Sequence, residues 1–529
     1  MARMLPSHPI SRVIQRPRTF PPDTLDGEFE DLGVAPDCGL GAVLMSLEDS
    51  THHFALIPLA DESPLRTFIF GHQNLLAVEH VFQKEIRLAP GQIHRMGTQI
   101  LLSFSGERQD FLREVSRIYT HSYPPPQSSS RPAWAGTATV LEADFVHYGG
   151  IAGLTEKLPA LKDQGFDTVY LMPWHTGPYS GYGTLDYWEI DPAKGTFEDL
   201  QKLTRRAHDL GLKVLFDLLV NMVTEKSRYL SENPDWFYRD EEGTPQRHTV
   251  WPGFALDPAS IGFRRFLRDY CLRCVTELGA DGFRVDAVSY RGGNWNPLTG
   301  LQPHQHAHAI FTLLAEIRTA IQSVKPEAIL MAECFGPIQV PVSDLVCYQW
   351  VGWLDWVLQN LIEQKLTGQQ LGLLLQDHFG CMPRGTWLTT YTHTHDTVAF
   401  QGREWEGEPV NLLFALLHLA SAGIMTFGGG WNMRERPGSG EIAWQRKLAR
   451  LKHETGTVAS HEIWFQKHHH PNLLIFERPS QLGKLRICAN FSAADQPWIP
   501  QGSLLFTSRE ATPQTDRLHP WEFRVENLS

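Results

Sequence analysis

Asp281-Gly-Phe-Arg284-Val-Asp286 brings an arginine and a carboxylate to the end of a short apolar run, with one residue between them. In a strand, residues two apart face the same side, so Arg284 and Asp286 are predicted to look into one site. A guanidinium beside a carboxylate favours the ionised form, and an ionised carboxylate can act as a nucleophile. An isolated pair of this kind more often caps a strand than performs chemistry, so its meaning rests on the rest of the chain.

Outward from this motif, apolar runs alternate with helix-length amphipathic segments. Thr168-Val-Tyr-Leu-Met172, Lys213-Val-Leu-Phe216, Gly282-Phe-Arg-Val285, Ile329-Leu-Met-Ala332 and Leu388-Thr-Thr-Tyr391 read as strands. Leu154 to Lys162, Phe197 to Leu210, Ile261 to Leu278 and His308 to Val324 read as helices between them. Such alternation over this length predicts an α/β fold, a (β/α)8 TIM barrel, over residues 133–454. An open doubly wound sheet fits less well, because no Gly-rich phosphate loop follows an early strand. Residues 1–132 are expected to form an N-terminal β-rich domain ending in a Pro- and Ser-rich linker, Pro124 to Pro132. Residues 455–529 return to short β-like runs and are expected to form a β-sandwich-like domain.

Composition narrows the classes of function. The 529 residues carry a net charge of -12, which argues against nucleic acid and acidic membrane as partners. Seven cysteines are too few, and odd in number, for a disulfide framework. Cys271 and Cys274 fall on one helix with no second pair, so both are expected to face the core. No run reaches the length of a membrane-spanning helix, and a cytoplasmic location is expected.

Barrel enzymes carry their chemistry at the C-terminal ends of strands. There the sequence places Trp174 and Tyr182 after the second strand, Asp217 and Asn221 after the third, and Arg284 with Asp286 after the fourth. Glu333 follows the fifth strand, and His393, His395 and Asp396 follow the seventh. Carboxylates converging beside aromatic side chains suit glycoside cleavage. One carboxylate attacks or shields the anomeric carbon, and the other gives and reclaims a proton. Asp286 suits the first task because of Arg284. Glu333 suits the second, since apolar neighbours raise a carboxyl pKa. Tyr182 and Trp174 have faces on which a sugar ring can stack, and His395 with Asp396 can hydrogen-bond its hydroxyls.

These residues resemble the four short regions of the α-amylase superfamily, glycoside hydrolase family 13. Asp217-Leu-Leu-Val-Asn221 resembles the first, Gly282-Phe-Arg284-Val-Asp286 the second, Ala332-Glu333 the third and His395-Asp396 the fourth. The resemblance implies Asp286 as nucleophile, Glu333 as general acid/base and Asp396 as transition-state stabiliser, with Arg284, His395 and Tyr182 as sugar ligands. Asp217 is taken as a further substrate-binding candidate. The chain also departs from the family. Met222 stands where a histidine normally contacts the primary hydroxyl, Ser289-Tyr290 replaces the usual Lys-His, and Gly183 replaces the aspartate after Gly-Tyr.

The insertion from Met222 to Pro258 is short and lacks an evident acidic cluster. No cofactor is therefore expected to be required, and the balance is against a structural calcium. Asn233-Pro-Asp-Trp-Phe237 followed by Glu242-Gly-Thr resembles the maltosyltransferase branch, which keeps transfer open beside hydrolysis. The expected partner is an α-glucan or α-glucoside, and the retaining mechanism places the two carboxyl groups about 5–5.5 Å apart. A glycan-binding protein without catalysis is the remaining alternative, opposed by the intact Asp286, Glu333 and Asp396. His304, His306, His308 and His468 to His470 are read as solvated, and Arg446 to Lys452 as the exposed face of a late helix.

Overall fold

The computed structural model describes residues 10–13, 30–35, 43–47, 51–59, 66–72, 75–81, 88–93, 98–248, 251–287, 293–296, 300–303, 305–334, 337–348, 351–396, 407–428, 441–509 and 516–528. Eight parallel strands close into a barrel: β1 (Thr139–Ala143), β2 (Thr168–Leu171), β3 (Lys213–Leu218), β4 (Gly282–Val285), β5 (Ile329–Cys334), β6 (Leu345–Tyr348), β7 (Leu388–Tyr391) and β8 (Gly423–Phe427). β8 pairs with β1 in register Thr426 to Leu141, so no barrel edge is left open. All five strands read from the sequence are present, and β1, β6 and β8 complete the ring.

Helices α1 (Gly150–Asp163), α2 (Phe197–Asp209), α3 (Ile261–Thr276), α4 (Gln305–Val324), α5 (Val351–Ile362), α6 (Gly368–Gly380), α7 (Glu408–Ala420) and α8 (Glu441–Thr455) lie between and after the strands. Local chemistry sets several of their ends. Thr196 and Asp199 exchange side-chain and backbone hydrogen bonds at the start of α2, and the Ser260 hydroxyl caps α3. Among the described residues between β5 and β6, the chain makes a 3-10 turn, Pro337–Val342. Cys271 and Cys274 are fully buried on α3, as their spacing predicts. The charged run on α8 corrects one expectation. Arg446, Lys447 and Arg450 are exposed, but Lys452 is buried, and burial pushes its pKa down to about 7.

Antiparallel sheets flank the barrel. Before it lie a four-stranded sheet (Ile10–Val13, Val43–Leu47, His52–Leu59, Thr98–Ser105) and a three-stranded one (Glu30–Ala35, Arg66–His72, Leu75–Val81). After it, Trp464–Gln466, Leu473–Ser480, Gly483–Asn490, Phe523–Asn527 and Ser503–Thr507 form one five-stranded sheet in that order. The segment read as a linker is anchored to the barrel. Arg131 lies 3.8 Å from the Trp387 ring centroid and donates to the Gly385 carbonyl oxygen at 2.9 Å.

Candidate active site

The C-terminal ends of β1, β3, β4, β5 and β7 surround one cluster, with Arg284 at its centre. Its Nη1 donates to Asp286 Oδ1 at 2.8 Å and lies 3.3 and 3.4 Å from the two oxygens of Asp217. Its Nη2 donates to Glu333 Oε2 at 2.5 Å. The Asn221 amide, just past β3, donates to Asp286 Oδ2 at 3.0 Å and so fixes the other oxygen. Asn221 is thereby directed at Asp286. Among the described residues, no group of three or more His, Cys, Asp or Glu is placed to hold a metal ion.

Glu333 is held from two sides. The backbone N–H of Ala287 donates to the same Oε2 at 2.8 Å. Ala287 adopts φ 35°, a conformation a residue with a Cβ rarely takes, and this turn aims the N–H back towards β5. Two donors on Oε2 leave Oε1 as the oxygen that carries the proton when Glu333 is neutral. Burial pushes the Glu333 carboxyl up to about 7; Arg284 opposes the shift, and Asp396 and Asp286 reinforce it.

Asp217 is sealed beneath the cluster, its side chain 0% exposed, whereas Asp286 is 18% and Asp396 23% exposed. Hydroxyls of Tyr170 and Tyr182 donate to Asp217 Oδ2 at 2.5 and 3.0 Å. Burial pushes its carboxyl up to about 6, against the pull of Arg284. Asp217 therefore reaches the opening only through Arg284 and Tyr182, which corrects its placement among groups that touch a ligand.

Trp174 requires a plainer correction. It is completely covered, stacked on His175 at 4.1 Å between centroids and packed against Phe197, Phe216 and Tyr270, so its faces are taken by core side chains. Tyr182 remains partly exposed and stacks on His395, centroids 5.3 Å apart. His395 Nε2 lies 3.3 Å from Asp396 Oδ1. His393 is buried beside Thr392.

Met222 packs in a two-residue ribbon, Met222–Val223 against Phe254–Ala255, and is nearly covered. His306, read as solvated, is instead fully buried, with Nδ1 3.1 Å from Asp257, which also accepts from Asn294. His468, His469 and His470 remain at the surface. Ser289, Tyr290, His304 and Phe335 lie outside the described residues, as does the side chain of His308.

Two site residues escaped the sequence reading. Glu142, at the end of β1, accepts from His395 Nδ1 at 2.5 Å, and Tyr170 on β2 binds Asp217. The signal for Glu142 is a carboxylate near the end of a short apolar run, Thr139-Val-Leu-Glu142-Ala.

Residues 117–251 match the α-amylase catalytic-domain family model. Among curated proteins, the chain is 29% identical over 224 residues to the trehalose synthase/amylase TreS of Mycolicibacterium smegmatis, covering 35% of this chain and 36% of that one. It is 32% identical over 147 residues to the oligo-1,6-glucosidase IMA5 of Saccharomyces cerevisiae, covering 23% of this chain and 25% of that one. These matches span about a third or less of the relatives' length. Among solved structures, a noncanonic maltogenic α-amylase, AmyB of Thermotoga neapolitana, superposes with a TM-score of 0.56 over 74% of this chain and 96% of that chain, at 21% identity. At that identity the likeness concerns the fold alone.

Proposed function

We propose that this chain, whose residues 117–251 match the α-amylase catalytic-domain family model, is a member of glycoside hydrolase family 13 and a retaining enzyme acting on α-glucans or α-glucosides. One observation carries the reading: Asp286 and Glu333, from neighbouring strands, share the two nitrogens of one guanidinium. A retaining pair stands about 5–5.5 Å apart, and a shared arginine supports that proximity rather than the wider inverting separation.

In this mechanism the more exposed Asp286 attacks the anomeric carbon while Glu333 passes its proton to the departing glycosidic oxygen. Arg284 and Asn221 hold both Asp286 oxygens, so little reorganisation is needed as charge leaves them. Glu333, now ionised, then takes a proton from an incoming hydroxyl, which attacks the same carbon and frees Asp286. A water hydroxyl gives hydrolysis, and a sugar hydroxyl gives transfer. Asp396, His395 and Tyr182 line the exposed side, where they would contact the sugar. The steps use only side chains of this chain. A cytoplasmic location is part of this reading, supported by cysteines too few and odd in number for a disulfide framework.

Asp286→Ala is expected to remove turnover of maltooligosaccharides and maltose by at least about 10³-fold while leaving the thermal unfolding transition in place. Trapping with a slow fluorinated glucosyl donor should add one glucosyl unit to the wild-type mass and nothing to that of the variant. Near wild-type turnover by Asp286→Ala would refute the assignment. Product sizes separate the two outcomes of the second step: shorter sugars alone mean hydrolysis, and longer ones mean transfer. Transfer stays in view because the matched region of TreS belongs to a protein named as both synthase and amylase.

A further inference from the structure

We propose that Glu142 is a positioning residue that holds His395 as an imidazolium, with Nδ1 donating to Glu142 and Nε2 donating towards the exposed side of the site. The inference rests on the glucoside-active reading above and deepens it.

The protonation state follows from the partners. Glu142 is 1% exposed and grips His395 twice: Oε1 takes Nδ1 at 2.5 Å, and Oε2 takes the backbone N–H at 3.2 Å. A carboxylate only accepts, so Nδ1 carries a hydrogen. The opposite nitrogen, Nε2, faces the Asp396 carboxylate at 3.3 Å and carries one for the same reason. A ring with hydrogens on both nitrogens is a cation. Its face lies on Tyr182, interplanar angle 18°, an arrangement that favours positive charge over the ring.

The charged groups around the ring are Glu142 from β1, Asp396 beside it and Arg284 from β4. Burial and Arg284 oppose the cation; Glu142 and Asp396 outweigh them and raise the pKa to about 10. Without Glu142, Asp396 is the one of these three groups that still favours the charge. The ring would then titrate in the working range and could satisfy either Asp396 or a sugar hydroxyl, but not both as donor. Glu142 touches no reacting atom; it acts through His395.

The direct test is the titration of His395 in protein labelled with 13C at histidine Cε1, its signal assigned by its loss in His395→Gln. The wild-type signal is expected to stay in the protonated position up to pH 9, and in Glu142→Gln it is expected to titrate near or below neutrality. A wild-type His395 that titrates near neutrality would overturn the proposal, whether or not Glu142→Gln folds and whatever the substrate. The same ring behaviour without turnover of any α-glucoside would leave the proposal standing and sink the functional reading.

Kinetics give a second readout. By the precedent of carboxylates that orient metal-bound imidazoles, Glu142→Gln lowers kcat/KM about 10- to 100-fold. The alkaline limb in the variant steepens from one proton to two, because Glu333 and His395 must then both stay protonated. A loss of equal size at every pH, with unchanged slope, would mean that Glu142 merely fills space.

Discussion

At the residue scale the site is governed by too many acids for its cations. Arg284 and His395 face Asp217, Asp286, Glu333, Glu142 and Asp396, and not all of these can stay ionised in a covered space. The excess is relieved by protonation of Glu333, which is the proton the proposed mechanism uses, and in part by Asp217. The unfolded chain releases the Asp217 proton near 3.8, whereas the folded protein keeps it to about 6, so the folded state binds more protons between those values. The stability this confers is complete below the unfolded value and lost as pH rises through the folded one. At ~1.4 kcal/mol per pH unit the loss is ~3 kcal/mol. Asp217→Asn, which cannot ionise, is therefore expected to gain about 2–2.5 kcal/mol relative to wild type between about pH 4 and about pH 8. Urea unfolding at the two pH values checks this; a constant difference would show that ionisation of Asp217 costs the fold nothing. Asp286 and Glu333 were legible in the sequence because a carboxylate ending an apolar strand is expensive and conspicuous. The place of Trp174 is not legible in the sequence, because a flat ring looks the same on a sugar or in a core stack. Its cover of His175, Phe197, Phe216 and Tyr270 comes from three other places in the chain and from its own neighbour.

At the scale of elements, β4 shows how a strand delivers the site. Asp281 anchors its lower end by accepting from the Val214 backbone N–H at 2.8 Å, from Lys325 at 2.8 Å and from His208 at 2.8 Å. Gly282 follows at φ 145°, and a Cβ there would collide with the Ile329 carbonyl of β5. Only glycine lets β4 and β5 close to the spacing that puts Glu333 on Arg284. Gly282→Ala is expected to lower stability by more than about 1 kcal/mol and to reduce activity further than stability alone accounts for. The urea midpoint compared with kcat/KM of the folded fraction tests this, and unchanged values for both would refute it. The strands missed in the sequence have physical reasons. β8 follows α7, whose residues from Val410 to Ala420 are all buried. With no polar face, the helix and the strand read as one apolar stretch. β6 has four residues and follows a 3-10 turn, so no helix announces it.

At the scale of the whole molecule, the sequence boundary at residue 132 separates what the structure joins. Helix Arg108–Ser122 lies between the four-stranded sheet and the barrel and contacts both. On one side Phe111 stacks on His53, centroids 5.1 Å apart, and packs against Phe104. On the other, Arg108 pairs with Asp377 of α6 at 2.6 Å, and the Ser116 hydroxyl donates to the Met382 carbonyl at 2.6 Å. The composition of residues 124–132 suggested a free connection, but Pro and Ser set local conformation without saying whether the chain is tethered; Arg131 over Trp387 does the tethering. We therefore place this helix and the segment after it with the barrel, as the joint through which the β-rich region is held. Phe111→Ala removes a fully buried ring and is expected to cost about 3–5 kcal/mol. Because the lost contacts lie at the joint, cleavage by a protease between residues 123 and 130 is expected to accelerate in this variant while the barrel keeps its activity. If cleavage there is no faster than in wild type, or if activity and the joint are lost in one transition, the helix is part of a single indivisible core.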